Sequence, residues 1–382
     1  MNAWAFILFA TAFSALVAAH FAAAYRSWRA TKGQEPSDID PDYVRLEDYF
    51  ARSFRMHVSE WLRLPLEQAL PDGTRVLRKE GEKIRVSTAA EFAPYSVSDE
   101  ILAVQGSFRA GPGCLFRREI HARGVARIGA GSRLQAIASD GDLFLGAGTR
   151  VARWADCSGT MEIGPQCTVR SRATAGAKIR LKKGARVASA FAPTVLTAFD
   201  AHDPKTAEVE LPQPEQEFPV PDPAGAGRAR RIALGLDPAR LRQLGPDGGL
   251  YQGNWKPAAP LRLRVKMVVK GDCKLPAGSL IEADLKADGN VDIGAESVCR
   301  GNVIAGGDIR FGRGCRFYGV VHAGGRLHLN TGVRAGRPEA PVAAYGADLL
   351  TVDDGVIVHG KLASGTFVLA GTETKKRRRR QG

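Results

Sequence analysis

The chain repeats itself every eighteen residues. GDIRFGRGCRFYGVVHAG, from Gly307, overlays GNVDIGAESVCRGNVIAG from Gly289 and GDCKLPAGSLIEADLKAD from Gly271, and the series continues in GRLHLNTGVRAG from Gly325. With the opening glycine as offset 0, apolar or small residues fall at offsets 2, 4, 8, 10, 14 and 16. In the Gly307 unit these are Ile309, Phe311, Cys315, Phe317, Val321 and Ala323. Members of a pair stand two apart, the period of a strand, so they share a face; glycine or charge separates the pairs. Three short strands per unit at a fixed repeat length predict an all-β fold, a single-stranded parallel β-helix. In such a fold equal offsets stack about 4.8 Å apart.

The register extends over most of the chain. Starts at Gly106, Gly124, Gly141, Gly159 and Ala177 carry inward pairs such as Phe108/Ala110, Leu143/Leu145 and Ile179/Leu181. After an interruption it resumes at Gly253, slips by five residues beyond Gly325, restarts at Asp348 and ends with Val368/Ala370. This reading gives ten or eleven coils, a rod of roughly 50 Å at the strand spacing. A sandwich of short strands would not hold offsets constant from unit to unit. Only 7% of the residues are aromatic, which suits a narrow interior. All six cysteines fall on inward offsets: Cys114, Cys167 and Cys315 at 8, Cys157 at 16, Cys273 at 2 and Cys299 at 10. No CxxC pair occurs, and the reading is of free thiols in a reduced core.

Residues 1–25 contain an uncharged apolar run, Ala3 to Tyr25, long enough to cross a bilayer. Arg26, Arg29 and Lys32 follow it, and no cation precedes it, which predicts a single-pass anchor in the inner, cytoplasmic membrane with the bulk of the chain in the cytoplasm. The alternative is a cleaved signal peptide ending near Ala22–Ala24, with a periplasmic product, although the charged leader of such peptides is missing. Residues 26–87 then hold a polar linker, an amphipathic helix over Tyr43–Leu64 and a hairpin over Thr74–Val86. The helix suits either the membrane surface or the rod's first coil; solenoid ends expose apolar faces, which favours the cap. The β-helix is expected over 88–191 and 253–371, with a proline-rich excursion over 192–252 in which Leu236–Leu244 could form a short helix. Residues 372–382 form a basic tail, KKRRRR from Lys375 through Lys376, Arg377, Arg378 and Arg379 to Arg380.

Net charge is +14, from 54 basic and 40 acidic residues. Outward offset 9 carries Arg133, Arg150, Arg186, Arg316 and Arg334, and outward offset 3 carries Arg109, Arg127, Arg180 and Arg310. Stacked like charges repel by some tenths of a kcal/mol, so such rows point to an anionic contact, or else splay into water over their own stems. For the tail, anionic lipid is the expected partner and nucleic acid is not.

The chain offers little chemistry. No catalytic, cofactor-binding or metal site and no small-molecule substrate is expected: the seven histidines are dispersed, and HExxH and GxSxG are absent. GVIVHGKL, Gly355–Leu362, satisfies GxxxxGK but lacks the Ser or Thr that follows in a phosphate loop, and its valines fit an inward pair.

The segment 271–336, and GDIRFGRGCRFYG within it above all, resembles the bactofilins, bacterial polymer-forming cytoskeletal proteins. The resemblance implies a right-handed β-helix, nucleotide-free self-assembly through rod ends, and membrane association. With the repeat, the apolar run and the missing chemistry, it leads to the expectation of a membrane-anchored, non-catalytic scaffold, with the inward residues of the free C-terminal coils, Val356, Val358, Leu362 and Val368, as its assembly surface. The anchor and the proline-rich excursion depart from the bactofilin pattern. Two other readings fit the same repeat. Hexapeptide-repeat acyltransferases also have three strands per coil, and His121, His322 and His328 point outward where a subunit groove could use a base. A non-polymerising envelope adaptor would recruit a partner through residues 192–252.

Overall fold

The computed structural model describes residues 46–63, 68–69, 74–79, 81–199, 237–243 and 248–371, together with Trp4 and Phe13. The expected anchor, the proline-rich stretch 200–236 and the basic tail lie outside the described residues. Among those described, no helix is long and apolar enough to cross a membrane.

The described chain is a β-solenoid of about 14 turns, roughly 65 Å at the strand spacing. The stacking follows the sequence register: Ile309 pairs with Val291 and Leu327, Val321 with Val303 and Ala344, and Phe317 with Cys299 and Ala335, all parallel. Inward offsets are almost completely buried, in chain order from Leu102 to Ala370, and form one continuous core. Alternation places them there, and the burial of several apolar side chains per coil is the main stabilising term.

The corners are built from glycine and from side-chain ladders. Gly314 adopts φ +68°, a conformation costly for other residues, and a Cβ on Gly319 would sit 2.4 Å from the Gly301 carbonyl oxygen of the coil before it. At offset 1 each backbone N–H donates to the side chain one coil back: Asp272 to Asn254 (2.9 Å), Asn290 to Asp272 (2.7 Å), Asp308 to Asn290 (2.8 Å) and Arg326 to Asp308 (2.7 Å). These Asn and Asp residues supply acceptors to corner N–H groups that no strand partner reaches.

The solenoid is two stacks, not one, and this corrects the single rod expected above. Each begins with an antiparallel hairpin over its third face, Arg75–Lys79 with Glu82–Ser87 in the first and Leu241–Gln243 with Gly248–Tyr251 in the second. Each ends in one long strand wrapped around the last coil, Arg186–Thr197 and Ile357–Ala370. These closing strands pair with each other, and the pairing is antiparallel: Val187 with Val368, Ala190 with Leu362, Val195 with Val358. The stacks therefore meet end to end, related by an approximate two-fold axis through the third face. The coils starting at Gly253, Gly271, Gly289, Gly307, Gly325 and Asp348 grow back toward the first stack, so Phe199 and Asp237 lie about 30 Å apart along the rod, six strand spacings. The physical reason is edge satisfaction. Each closing strand carries a row of unpaired N–H and C=O groups, and an end of matching shape pairs with both at once.

The boundaries shift accordingly. The first stack runs through Thr197 rather than 191, and within Leu236–Leu244 the described residues form a 3-10 turn, Pro238–Arg240, and then a strand rather than a helix. The two hairpins and two closing strands add turns that lack the glycine register, which is why the count exceeds ten or eleven.

The amphipathic helix is present as α1, Tyr49–Trp61, but it does not cap the end. It lies along the third face of the first stack, where Ala51, Phe54 and Val58 pack with Ile84, Val86, Ile101, Ala103, Ala136, Ala138 and Trp154 in a second core. The hairpin predicted over Thr74–Val86 adds a strand to the third face at that end, and its Ile84 and Val86 continue the outward row of Ile101 and Ala103 beneath the helix.

Candidate functional site

Val356, Val358, Leu362 and Val368, expected at a free end, are at most 1% exposed and sit in the junction between the stacks. That end is not free. Backbone bonds seal both sides of it, Gly184 N–H to the Ala370 carbonyl (2.7 Å) on one and Thr197 N–H to the Val356 carbonyl (3.0 Å) on the other. The open edges lie instead at the outer ends. Among the described residues Ala90–Phe92 and Val97–Ser98 pair on one side only, and Tyr95 and Val97 are 77% and 59% exposed. Arg262–Leu263 is the corresponding one-sided strand of the second stack.

The arginine row at offset 9 is not a single line. Arg133 is opposite Arg150, but Thr168 separates Arg150 from Arg186, and Arg186 is opposite Leu369. Arg316 and Arg334 are neighbours on another face: their row continues through Ile357 and Leu196 into Arg180 and Glu162. The two-fold relation exchanges the first and second faces, so equal offsets in the two stacks lie on different sides of the rod. The offset 3 row is also interrupted, since Arg127 lies 4.1 Å over the Phe144 ring and Arg180 stands opposite Glu162. Charge within the rod thus offsets part of the repulsion that the expected rows would have created. Lys375–Arg380 lie outside the described residues.

The strongest polar cluster lies under α1. Arg55 bonds Asp140 (2.7 Å) and Asp156 (2.5 Å), His121 Nε2 lies 3.2 Å from both Asp140 oxygens, and Thr174 donates to Asp156. Burial pushes the Asp156 carboxyl up, against the pull of Arg55; the Asp140 carboxyl, also raised by burial, is held below its usual range by His121 and Arg55. Phe54 closes the cluster, edge-on to His121 and packed on Trp154. This arrangement clasps the helix to the rod. The sequence signal for it was available in the outward alanines Ala103, Ala136 and Ala138 beside Trp154, a face too apolar for water.

The histidines considered as bases are dispersed. His121 is 5% exposed beneath α1, His322 stacks on Tyr345 at 5.0 Å, and His328 bonds Asp353 at 3.1 Å. All six cysteines are buried and free; burial pushes the Cys157 and Cys273 thiols up to about 12 and those of Cys167 and Cys315 up to about 11. Within GVIVHGKL the valines are inward, Ile357–Ala370 is strand, and Lys361 pairs with Glu47 of the α1 entry at 2.5 Å. Among the described residues no group of three or more His, Cys, Asp or Glu is placed to hold a metal ion.

Comparison with protein-family models, with curated proteins and with solved structures finds no match for this chain.

Proposed function

We propose that the chain is a non-catalytic, bactofilin-like β-solenoid scaffold. Residues 3–25 anchor it at the cytoplasmic face of a bacterial inner membrane, the basic tail contacts anionic lipid, and copies join into filaments or clusters. The observation that carries this reading is the junction, where two solenoid ends of this chain are sealed by antiparallel strand pairing. The junction occupies the C-terminal coils, so growth uses the outer ends, where Ala90–Phe92 and Val97–Ser98 keep an open edge. Edge pairing there follows the same chemistry.

The test is electron microscopy and sedimentation of the chain lacking residues 1–32, with and without Val97→Lys and Tyr95→Lys. Filaments that the lysines abolish support assembly through the outer edge; a monodisperse monomer at high concentration removes the polymer claim. Imaging a fluorescent fusion with and without residues 1–32 tests the anchor, which fails if membrane localisation persists after deletion.

A further inference from the structure

The two third faces are equivalent by the two-fold relation, yet among the described residues a helix covers only one. Counting outward from the junction, Asp156, Ala138 and His121 of the first stack correspond to His322, Ile304 and Lys286 of the second, and Trp154 corresponds to Val320. On the first stack α1 buries this surface, with Phe54 on Trp154 and Arg55 on Asp156. On the second stack Ile304 and Val320 are 39% and 49% exposed, beside the stacked pair His322 and Tyr345. Side chains with large apolar bodies thus stand outward in consecutive coils, in the place where the same fold elsewhere holds a helix.

The charges say which helix. Where the first stack offers the carboxylate of Asp156 to a cationic helix, the second offers the imidazole of His322 and the ammonium of Lys286, while the one carboxylate beside them, Asp284, already accepts from Asn302 and faces Lys266. Lys361, in the closing strand at the junction end, already binds a carboxylate, Glu47. α1 itself would set Arg52 and Arg55 against these groups. We propose that the third face of the second stack docks an amphipathic helix of a partner protein, with an apolar stripe like that of Phe54 and Val58 and carboxylates where α1 has arginines. The interface continues the one α1 already makes, and it goes beyond the scaffold reading without requiring that the chain polymerise.

The probe is a synthetic peptide of residues 47–63 with Arg52 and Arg55 replaced by glutamate, titrated by fluorescence anisotropy against the full chain in lipid nanodiscs. We expect binding in the range of tens of micromolar, about tenfold tighter than the unaltered peptide and about tenfold weaker after Ile304→Glu with Val320→Glu. Thermal melting of that double variant should be unchanged, because both side chains are exposed. Equal binding of the two peptides, or insensitivity to the double variant, overturns the proposal. In cells, a photo-crosslinker at Val320 should yield a crosslinked peptide from another protein with the acidic amphipathic pattern. Crosslinks confined to residues 200–236 of the same chain, or to a second copy of it, overturn it equally.

Discussion

Truncating the junction tests whether the two stacks form one mechanical unit. Val187 and Val368 are paired in register across it and are each 0% exposed. Directly opposed residues have Cβ atoms about 5 Å apart, so the two side chains share one piece of core. Val368→Ala removes two carbons at about 0.8 kcal/mol each, roughly 1.6 kcal/mol of transfer free energy. A residual void of about 25 Å³ adds roughly 0.6 kcal/mol, for a loss of about 2 kcal/mol. Val187→Ala should cost the same. Because the two variants open one shared void, the double variant should differ from the sum by about 0.5 kcal/mol or more. The assay is urea unfolding followed by circular dichroism on the chain lacking residues 1–32. Repeat arrays lose cooperativity where an interface weakens, so the double variant should also split the transition in two. Strict additivity within about 0.3 kcal/mol, with one unsplit transition, would refute the junction, as would a cost for Val368→Ala below about 1 kcal/mol, less than the transfer term alone.

Three further outcomes follow from the geometry. Arg55→Ala leaves Asp156 buried without its cation and should cost about 3 kcal/mol, the lower end for a broken buried pair because Thr174 still donates; protease cleavage within α1 reads it, and unchanged cleavage counts against the clasp. Because burial raises the Asp156 pKa, that loss should shrink as pH falls through the raised value, where the acid becomes neutral. A hydrogen bond from Arg262, with Arg300 and Arg264 nearby, holds Glu282 below its usual range, so its contribution is complete above the ordinary glutamate pKa and fades as pH drops through the lowered one; Glu282→Gln should flatten that part of the stability profile, and an unaltered acid limb argues against it. The thiols are buried, so a disulfide-exchange reagent at pH 8 should label none of the six in the native chain and all six in denaturant; rapid native labelling would contradict the packing.

How much of this could be read beforehand depends on the range of the interaction. The hairpin over Thr74–Val86 and the helix within Tyr43–Leu64 were readable because their signals are local. The seat of α1 was not, since its arginine meets Asp140, 85 residues away, and Asp156, which is farther still. The arginine rows were misassigned for a related reason: offset gives the position within a coil but not which way the coil faces once the second stack is turned over.

Periodicity alone gave the coil. Strand alternation and an eighteen-residue repeat leave one way to bury Ile309, Phe311, Cys315, Phe317, Val321 and Ala323 together, and every homologous offset follows. The direction of the second stack came only with the tertiary structure. The same inward offsets serve a coil laid on the first stack from either end, so hydrophobic pattern is indifferent to the choice. What decides it is the antiparallel pairing of two closing strands, Arg186–Thr197 and Ile357–Ala370, which satisfies the edge groups of both.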